Sequence, residues 1–327
     1  MFGNLISARD VYRLCERLPR HATTLARRLL WSGRQRTVDT YSRVAKDDQW
    51  WSIPAVLRRW NRLVTGREDQ DHYQWIAERH LQVNGLRALS VGCGEGARER
   101  KWARTGRFAR VLGIDLTPYA IASAQAAARE AGLDAVVQFE VGDLGDPTVL
   151  GDETFDVVIG EHSLHHLSPL REVLTTLRDR LRPGGLFLVD EFVGPSKFQW
   201  TDAQLDWINR LLPQLPERLR RRQDGTLKRR EHRPSRLYMY VNDPSEAVES
   251  AAIVPLLDEL FERVELRPYG GTILHMLLSK IGHHFVDDDA EAMHWLEQMA
   301  AIEDRCLASG ELPSDFVVGV WRKRASG

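Results

Sequence analysis

A chain of 327 residues is long enough to bury a large core, and its 45 basic and 46 acidic side chains leave a net charge of only −1. Its hydrophobic content of 43% is ordinary for a soluble protein, and no apolar run approaches the roughly 20 residues that a bilayer span requires. Cys15, Cys93 and Cys306 are odd in number and far apart, which argues against a disulfide framework or a metal site and for a reducing cytoplasm. A secretory signal is not expected either, because Arg9, Asp10, Arg13, Glu16 and Arg17 interrupt the apolar core it would need.

The near-zero net charge conceals segregation. Residues 1–36 hold eight arginines against Asp10 and Glu16, and residues 217–236 hold nine Lys or Arg against Glu217, Asp224 and Glu231. Local fields of this kind attract anionic partners even when the net charge does not.

Residues 1–84 read as a helical N-terminal extension. Leu25, Arg28, Leu29 and Trp31 lie on a basic amphipathic stretch suited to the inner membrane surface, to the body of the chain, or to a second subunit in a homodimer. Trp50, Trp51, Ile53, Pro54, Val56, Leu57, Trp60 and Leu63 then form an aromatic-rich segment, expected in a core or as a lid over substrate.

The run Arg87-Ala88-Leu89-Ser90-Val91-Gly92-Cys93-Gly94-Glu95-Gly96 reads as a buried strand ending in a glycine turn that opens a helix. Glycines at alternate positions let the backbone approach a ligand closely. A second strand, Arg110-Val111-Leu112-Gly113-Ile114, ends in Asp115, where a carboxylate can accept both hydroxyls of a ribose. The pair of features predicts an adenosine-containing cofactor. Ala97 in the sixth place of the glycine pattern departs from the dinucleotide fingerprint. Thr117-Pro118 opens a helix with a capping hydroxyl, and Gly132 ends it.

A third strand over 135–141 leads to Gly142-Asp143-Leu144, where a carboxylate and a neighbouring N–H can read an adenine edge. The fourth strand, Phe155-Asp156-Val157-Val158-Ile159-Gly160, leads to Glu161-His162-Ser163-Leu164-His165-His166-Leu167. After a helix, Leu181-Arg182-Pro183-Gly184-Gly185 turns into a fifth strand that ends in Asp190-Glu191. Such alternation predicts a parallel sheet with helices on both faces.

Over residues 85–193 this succession resembles the class I S-adenosylmethionine-dependent methyltransferases. The resemblance implies an α/β, Rossmann-like sheet of seven strands, the last of them antiparallel, with S-adenosylmethionine as cofactor. It sets Gly92, Cys93, Gly94 and Gly96 around the methionine and ribose, with Cys93 as a small side chain that fits the loop. Ser90 stands where many members carry an acidic residue, and so is a weaker partner for the cofactor ammonium. Asp115 would hold the ribose hydroxyls, Leu116 the adenine face, Asp143 the adenine amine, and the Leu144 N–H a ring nitrogen. Glu161 and His162 would lie beside the sulfonium and the acceptor.

Transfer of a methyl group to a hydroxyl needs alignment and a proton acceptor, and imidazole suits the second task. His162 is the first candidate for the base and His165 the second, with His166 a structural cap. Glu161 and Glu191 can orient an imidazole, bind a polar group of the acceptor or offset the sulfonium charge, or else pair with the basic insertion.

Residues 194–254 read as a basic helical insertion over the carboxyl ends of the strands, where open α/β sheets bind ligands. Thr201-Asp202-Ala203-Gln204 forms a capping box for a helix with Leu205, Ile208 and Leu211 on one face. The run Arg218, Arg220, Arg221, Arg222, Lys228, Arg229 and Arg230 is either a solvated surface or a phosphate site, with Arg221, Lys228 and Arg229 as substrate-binding candidates. Residues 255–327 complete the sheet around a second helical insertion with an acid-capped helix from about Asp289 to Leu307.

The expected activity is O-methylation of a polar or anionic small molecule: a sugar, sugar nucleotide, lipid-linked glycan or natural product. Methylation of RNA or DNA is the alternative, disfavoured because no zinc module, OB-like segment or aromatic RNA-binding motif accompanies the charge. A catalytically silent assembly partner is a third, against which the intact Asp115 and Asp143 stand.

Overall fold

The computed structural model describes residues 50–324 apart from 147 and 243, so the amphipathic stretch carrying Leu25, Arg28, Leu29 and Trp31 lies outside the described residues. The strands are β1 (Leu86–Val91), β2 (Phe108–Asp115), β3 (Val137–Val141), β4 (Phe155–Glu161), β5 (Leu181–Phe192), β6 (Glu262–Gly270) and β7 (Phe316–Arg322). They form one sheet in the order β3-β2-β1-β4-β5-β7-β6, in which β7 alone runs antiparallel, to β5 on one side and β6 on the other. The seven-stranded expectation therefore holds, including the reversed last strand.

The α-helices along the chain are α1 (Pro54–Thr65), α2 (His72–His80), α3 (Ala97–Arg104), α4 (Pro118–Glu130), α5 (Leu170–Arg180), α6 (Asp202–Leu211), α7 (Arg236–Asn242), α8 (Ile253–Leu260), α9 (Leu274–Leu278) and α10 (Ala290–Ser309). The central strands are buried continuously because helices cover both faces of the sheet. Ala88, Val111 and Val157 pack with Trp102 of α3 and Ala124 of α4, while Leu89, Leu112 and Val158 pack with Leu174 of α5 and Leu257 of α8.

Local sequence chemistry sets several helix ends. Thr201 and Gln204 form the reciprocal capping box of α6, and Asp289 accepts from Ala292 N at the start of α10. The start of α4 differs from expectation. The Thr117 side chain makes no cap bond; Asp115 Oδ1 accepts the Thr117 N–H instead, at 2.8 Å.

The aromatic-rich N-terminal segment is part of the core. Trp50 is fully buried against Trp60, His275 and Phe316, with the Trp60 ring edge-on at 4.7 Å. Buried polar pairs fasten the additions to the sheet. Glu303 of α10 accepts from Gly271, Ile273 and Leu274 N–H at the head of α9, and Arg59 of α1 pairs with it at 3.0 Å. No helix among the described residues is long and apolar enough to cross a membrane.

Candidate active site

The strand order reverses between β1 and β4, and ligands in open α/β sheets bind beyond the carboxyl ends of the strands at such a point. A cleft of about 1980 Å³ lies there, large enough for a cofactor and an acceptor together. Gly92, Cys93, Gly94, Asp115, Leu116, Asp143 and Leu144 all line it.

Two of the loop glycines have specific steric reasons. A Cβ on Gly92 (φ +64°) would meet Ser163 Cβ at 2.6 Å, and one on Gly96 (φ +71°) would meet Phe139 Cζ at 2.3 Å. Gly96 thus lets α3 start against β3, and it does not itself line the cleft. Asp115 Oδ2 accepts from Gly94 N at 2.9 Å, so the carboxylate at the end of β2 braces the glycine loop. Asp143 accepts from Gly145 N at 2.9 Å, and Leu144 packs against the core on the α5 side of the sheet. Burial pushes the Cys93 thiol pKa up, which makes it an unreactive filler of the loop.

Ser90 is placed differently from the sequence expectation. It is buried behind the loop, outside the cleft lining, and its hydroxyl donates to Glu99 Oε1 of α3 at 2.6 Å. Glu99 Oε2 is buried with no hydrogen-bond partner among the described residues. Burial is the main cause of its raised pKa, about 7 against an ordinary 4.5. The carboxyl is therefore easier to bury protonated than charged, and its contribution to stability declines as pH rises from 4.5 to about 7. Glu99→Gln is expected to raise stability at pH 8 by up to about 3 kcal/mol and to change little at pH 4.5. Thermal unfolding at the two pH values checks this; an equal effect at both would refute it.

The chemistry-bearing side chains gather at the ends of β4 and β5. The parallel register sets Glu161 beside Asp190. Asp190 Oδ2 lies 3.4 Å from His162 Nε2 and 3.8 Å from His72 Nε2, and Oδ1 accepts from Tyr269 OH at 2.6 Å. Burial alone would raise the Asp190 pKa, but the two imidazoles and the phenol outweigh it and hold the carboxyl below its usual range. His162 has φ +49°, a strained conformation for a residue with a Cβ, and its N–H donates to the Asp190 carbonyl at 2.8 Å.

Glu161 is not open to a ligand. Oε1 receives Trp102 Nε1 at 3.0 Å and lies 3.2 Å from His72 Nε2, while Oε2 receives Tyr73 OH at 3.1 Å. Its partners come from α2 and α3, not from the basic insertion. Burial lowers the His72 pKa, but the opposing pull of Glu161 and Asp190 is greater and the net shift is upward.

Of the roles open to Glu191, the contacts match the orienting of an imidazole. The side chain is fully buried; Oε2 accepts from Ser163 and Leu164 N–H at 2.8 and 2.7 Å, and Oε1 accepts from Phe192 N–H and faces His165 Nδ1 in a very short contact. It anchors the turn after β4 and orients His165. The adjacent His166 is held well below its ordinary pKa, at about 4, by burial and by His165.

The substrate-binding candidates in the insertion do not reach the cleft. Arg221 pairs with Glu217. The buried Lys228 ammonium donates to the carbonyls of Met276, Leu277 and Ser279 and pairs with Glu231 at 3.2 Å, so it caps the end of α9. Arg229 is exposed and does not line the cleft. Arg218 is likewise paired, with Asp289 and Glu291, and Arg233, just beyond the run, with Asp202. Arg222 and Arg233 are the cations of this stretch that line the cleft.

His72, Asp190 and Tyr269 were not anticipated. Alternation along β5 would have found Asp190, because it and Glu191 must point to opposite faces and only one can share a face with Glu161. No local signal points to His72 or Tyr269.

A glycine loop and acidic strand ends on this strand order define an α/β enzyme built around a nucleoside-bearing cofactor. Residues 89–189 match the family described as methyltransferase domain. A ubiquinone biosynthesis O-methyltransferase of Cereibacter sphaeroides is 30% identical over 172 residues, which cover 50% of this chain and 68% of that protein. A ubiquinone biosynthesis O-methyltransferase of Xanthomonas euvesicatoria is 28% identical over 180 residues, 55% of this chain and 70% of that one. Erythromycin 3''-O-methyltransferase of Saccharopolyspora erythraea is 30% identical over 139 residues, 42% of this chain and 45% of that one. The chain belongs to the class I S-adenosylmethionine-dependent methyltransferases.

Proposed function

We propose that this enzyme methylates a hydroxyl on a ring-bearing, largely apolar small molecule, with His162 as the base. The observation that carries this reading is the His162–Asp190 pair, at 3.4 Å, on the wall of a cleft also lined by aromatic rings, with the Phe316 ring 6.2 Å from that of His162. Trp51, Trp60, Phe198, Trp200 and Phe316 all line that cleft. An aromatic wall recognises rings and apolar surface, while Arg218 and Arg221 of the basic run are engaged by carboxylates and Lys228 is buried away from the cleft. The relatives' names, which specify O-methylation, point the same way.

When bound, S-adenosylmethionine supplies an electrophilic methyl group. The residues present suit it: the glycine loop, with open space at Gly94, the Asp115 carboxylate and the Asp143–Leu144 edge all line the cleft. His162 takes the acceptor proton at Nδ1, and Asp190, beside Nε2, stabilises the imidazolium that results. His72 and Tyr269 hold Asp190 in place, so the N-terminal extension completes the site.

Asp115→Ala removes charge-assisted hydrogen bonds and should weaken S-adenosylmethionine binding roughly 10- to 100-fold in calorimetric titration. Unchanged affinity would dismiss its role. The acceptor class is tested by incubating the full chain with methyl-labelled cofactor and a panel of phenols, hydroxylated macrocycles, nucleotide sugars and RNA. Methyl ethers are expected on the first two. Labelling of RNA, of nitrogen, or of nucleotide sugars alone would overturn the reading.

A further inference from the structure

His165, His166 and Glu246 line the cleft and bring three metal-ligand atoms within 4.8 Å of one another. Both imidazoles come from the turn Leu164–His166 after β4, and their ring centroids are 3.9 Å apart. Glu246 lies on the loop after α7, which is tied to the same turn by a Val248 N–H to His165 carbonyl bond of 3.0 Å.

The surrounding contacts orient the donors. Glu191 receives three backbone N–H groups and faces His165 Nδ1, so this anchored carboxylate fixes one side of the ring. The other nitrogen, Nε2, points at Glu246 Oε1 from 3.6 Å. A carboxylate behind the distal nitrogen of an imidazole is the arrangement that orients a metal-bound histidine and raises its basicity. His166 is steadied by the Ser245 carbonyl, 3.3 Å from Nδ1. Glu246 is on a partly exposed loop, so a small side-chain shift brings its oxygen to the bond lengths of about 2.0–2.2 Å that such ions require.

We propose that His165, His166 and Glu246 bind a divalent first-row transition-metal ion on the wall of the cleft. Two imidazoles and one carboxylate suit Zn2+, Fe2+, Co2+ or Ni2+, and leave coordination positions open to water or to an acceptor oxygen. Cysteine spacing could not show such a site, because its ligands are histidines and a carboxylate from separate segments.

The test uses the full chain without S-adenosylmethionine, with Zn2+ followed by calorimetry and Co2+ by visible absorption. One equivalent of saturable binding is expected, with d–d bands for Co2+. Glu246→Gln and His166→Ala should each weaken binding at least ~100-fold, more than loss of an outer-shell partner does. His294→Ala, an exposed histidine on α10, should leave it unchanged. Absence of saturable binding overturns the proposal, as does binding that both site variants retain. Circular dichroism confirms that the variants are folded. The readout does not depend on methyl transfer, so its failure is separable from failure of the acceptor reading.

Discussion

Glu191→Ala is expected to destabilise the enzyme by about 3–5 kcal/mol, the cost of breaking a buried charged pair by removing one partner. The carboxylate receives Ser163, Leu164 and Phe192 N–H and contacts His165, all in a fully buried position. Alanine would leave three backbone donors and an imidazole without this acceptor. Glu191→Gln keeps one accepting oxygen and should lose less, about 1–3 kcal/mol. Urea unfolding of the two variants checks the order; equal stability of Glu191→Ala and wild type would show that the turn is held by other contacts. The pH dependence has a definite sign. Burial raises the Glu191 pKa, but His165 and the backbone donors lower it more, so its folded value lies below the ordinary 4.5. Its stabilisation is therefore complete above that value and is lost on acidification below it, a loss absent from Glu191→Gln.

His162→Ala should lower turnover roughly 100- to 10,000-fold, the usual contribution of a positioned general base, with cofactor affinity preserved. Asp190→Asn should lower kcat by a similar order while leaving the imidazole in place. The amide can still meet Tyr269, but it carries no charge to stabilise the imidazolium beside it. His72→Gln separates positioning from base catalysis, because it removes an imidazole facing Asp190 without altering His162. It should shift the acid limb of the kcat profile and cost less than either of the other changes. Steady-state kinetics with an acceptor found by the panel would decide the matter. Full activity of His162→Ala would move the base to another group lining the cleft.

The sheet was legible because each central strand is an apolar run bounded by turn residues, as in Ala88–Val91 and Val157–Ile159, and burial on both faces demands that composition. The helix caps at Thr201 and Asp289 were legible for a similar reason, since donor and acceptor sit within one turn. Roles that depend on distant partners were not. Glu191 reads as a catalytic carboxylate until its backbone donors are seen, and Lys228 reads as a phosphate ligand until it is found against the carbonyls that end α9. Arg218 looks like part of a ligand-binding patch only while Asp289 and Glu291, at the start of α10, are out of view.

The sequence by itself determined the strand-end edge of the cleft. Gly92, Gly94, Asp115 and Asp143 each lie at a strand end, and parallel strands carry those ends to one edge of the sheet whatever surrounds it. Only the tertiary structure decided the rest of the cleft. There Asp190 is shared by His162, by His72 from the N-terminal extension and by Tyr269 from β6, and the aromatic wall is assembled from segments that precede and follow the core. Buried charges must be paired, and the sequence shows which groups are charged but not which of them packing will bring within reach.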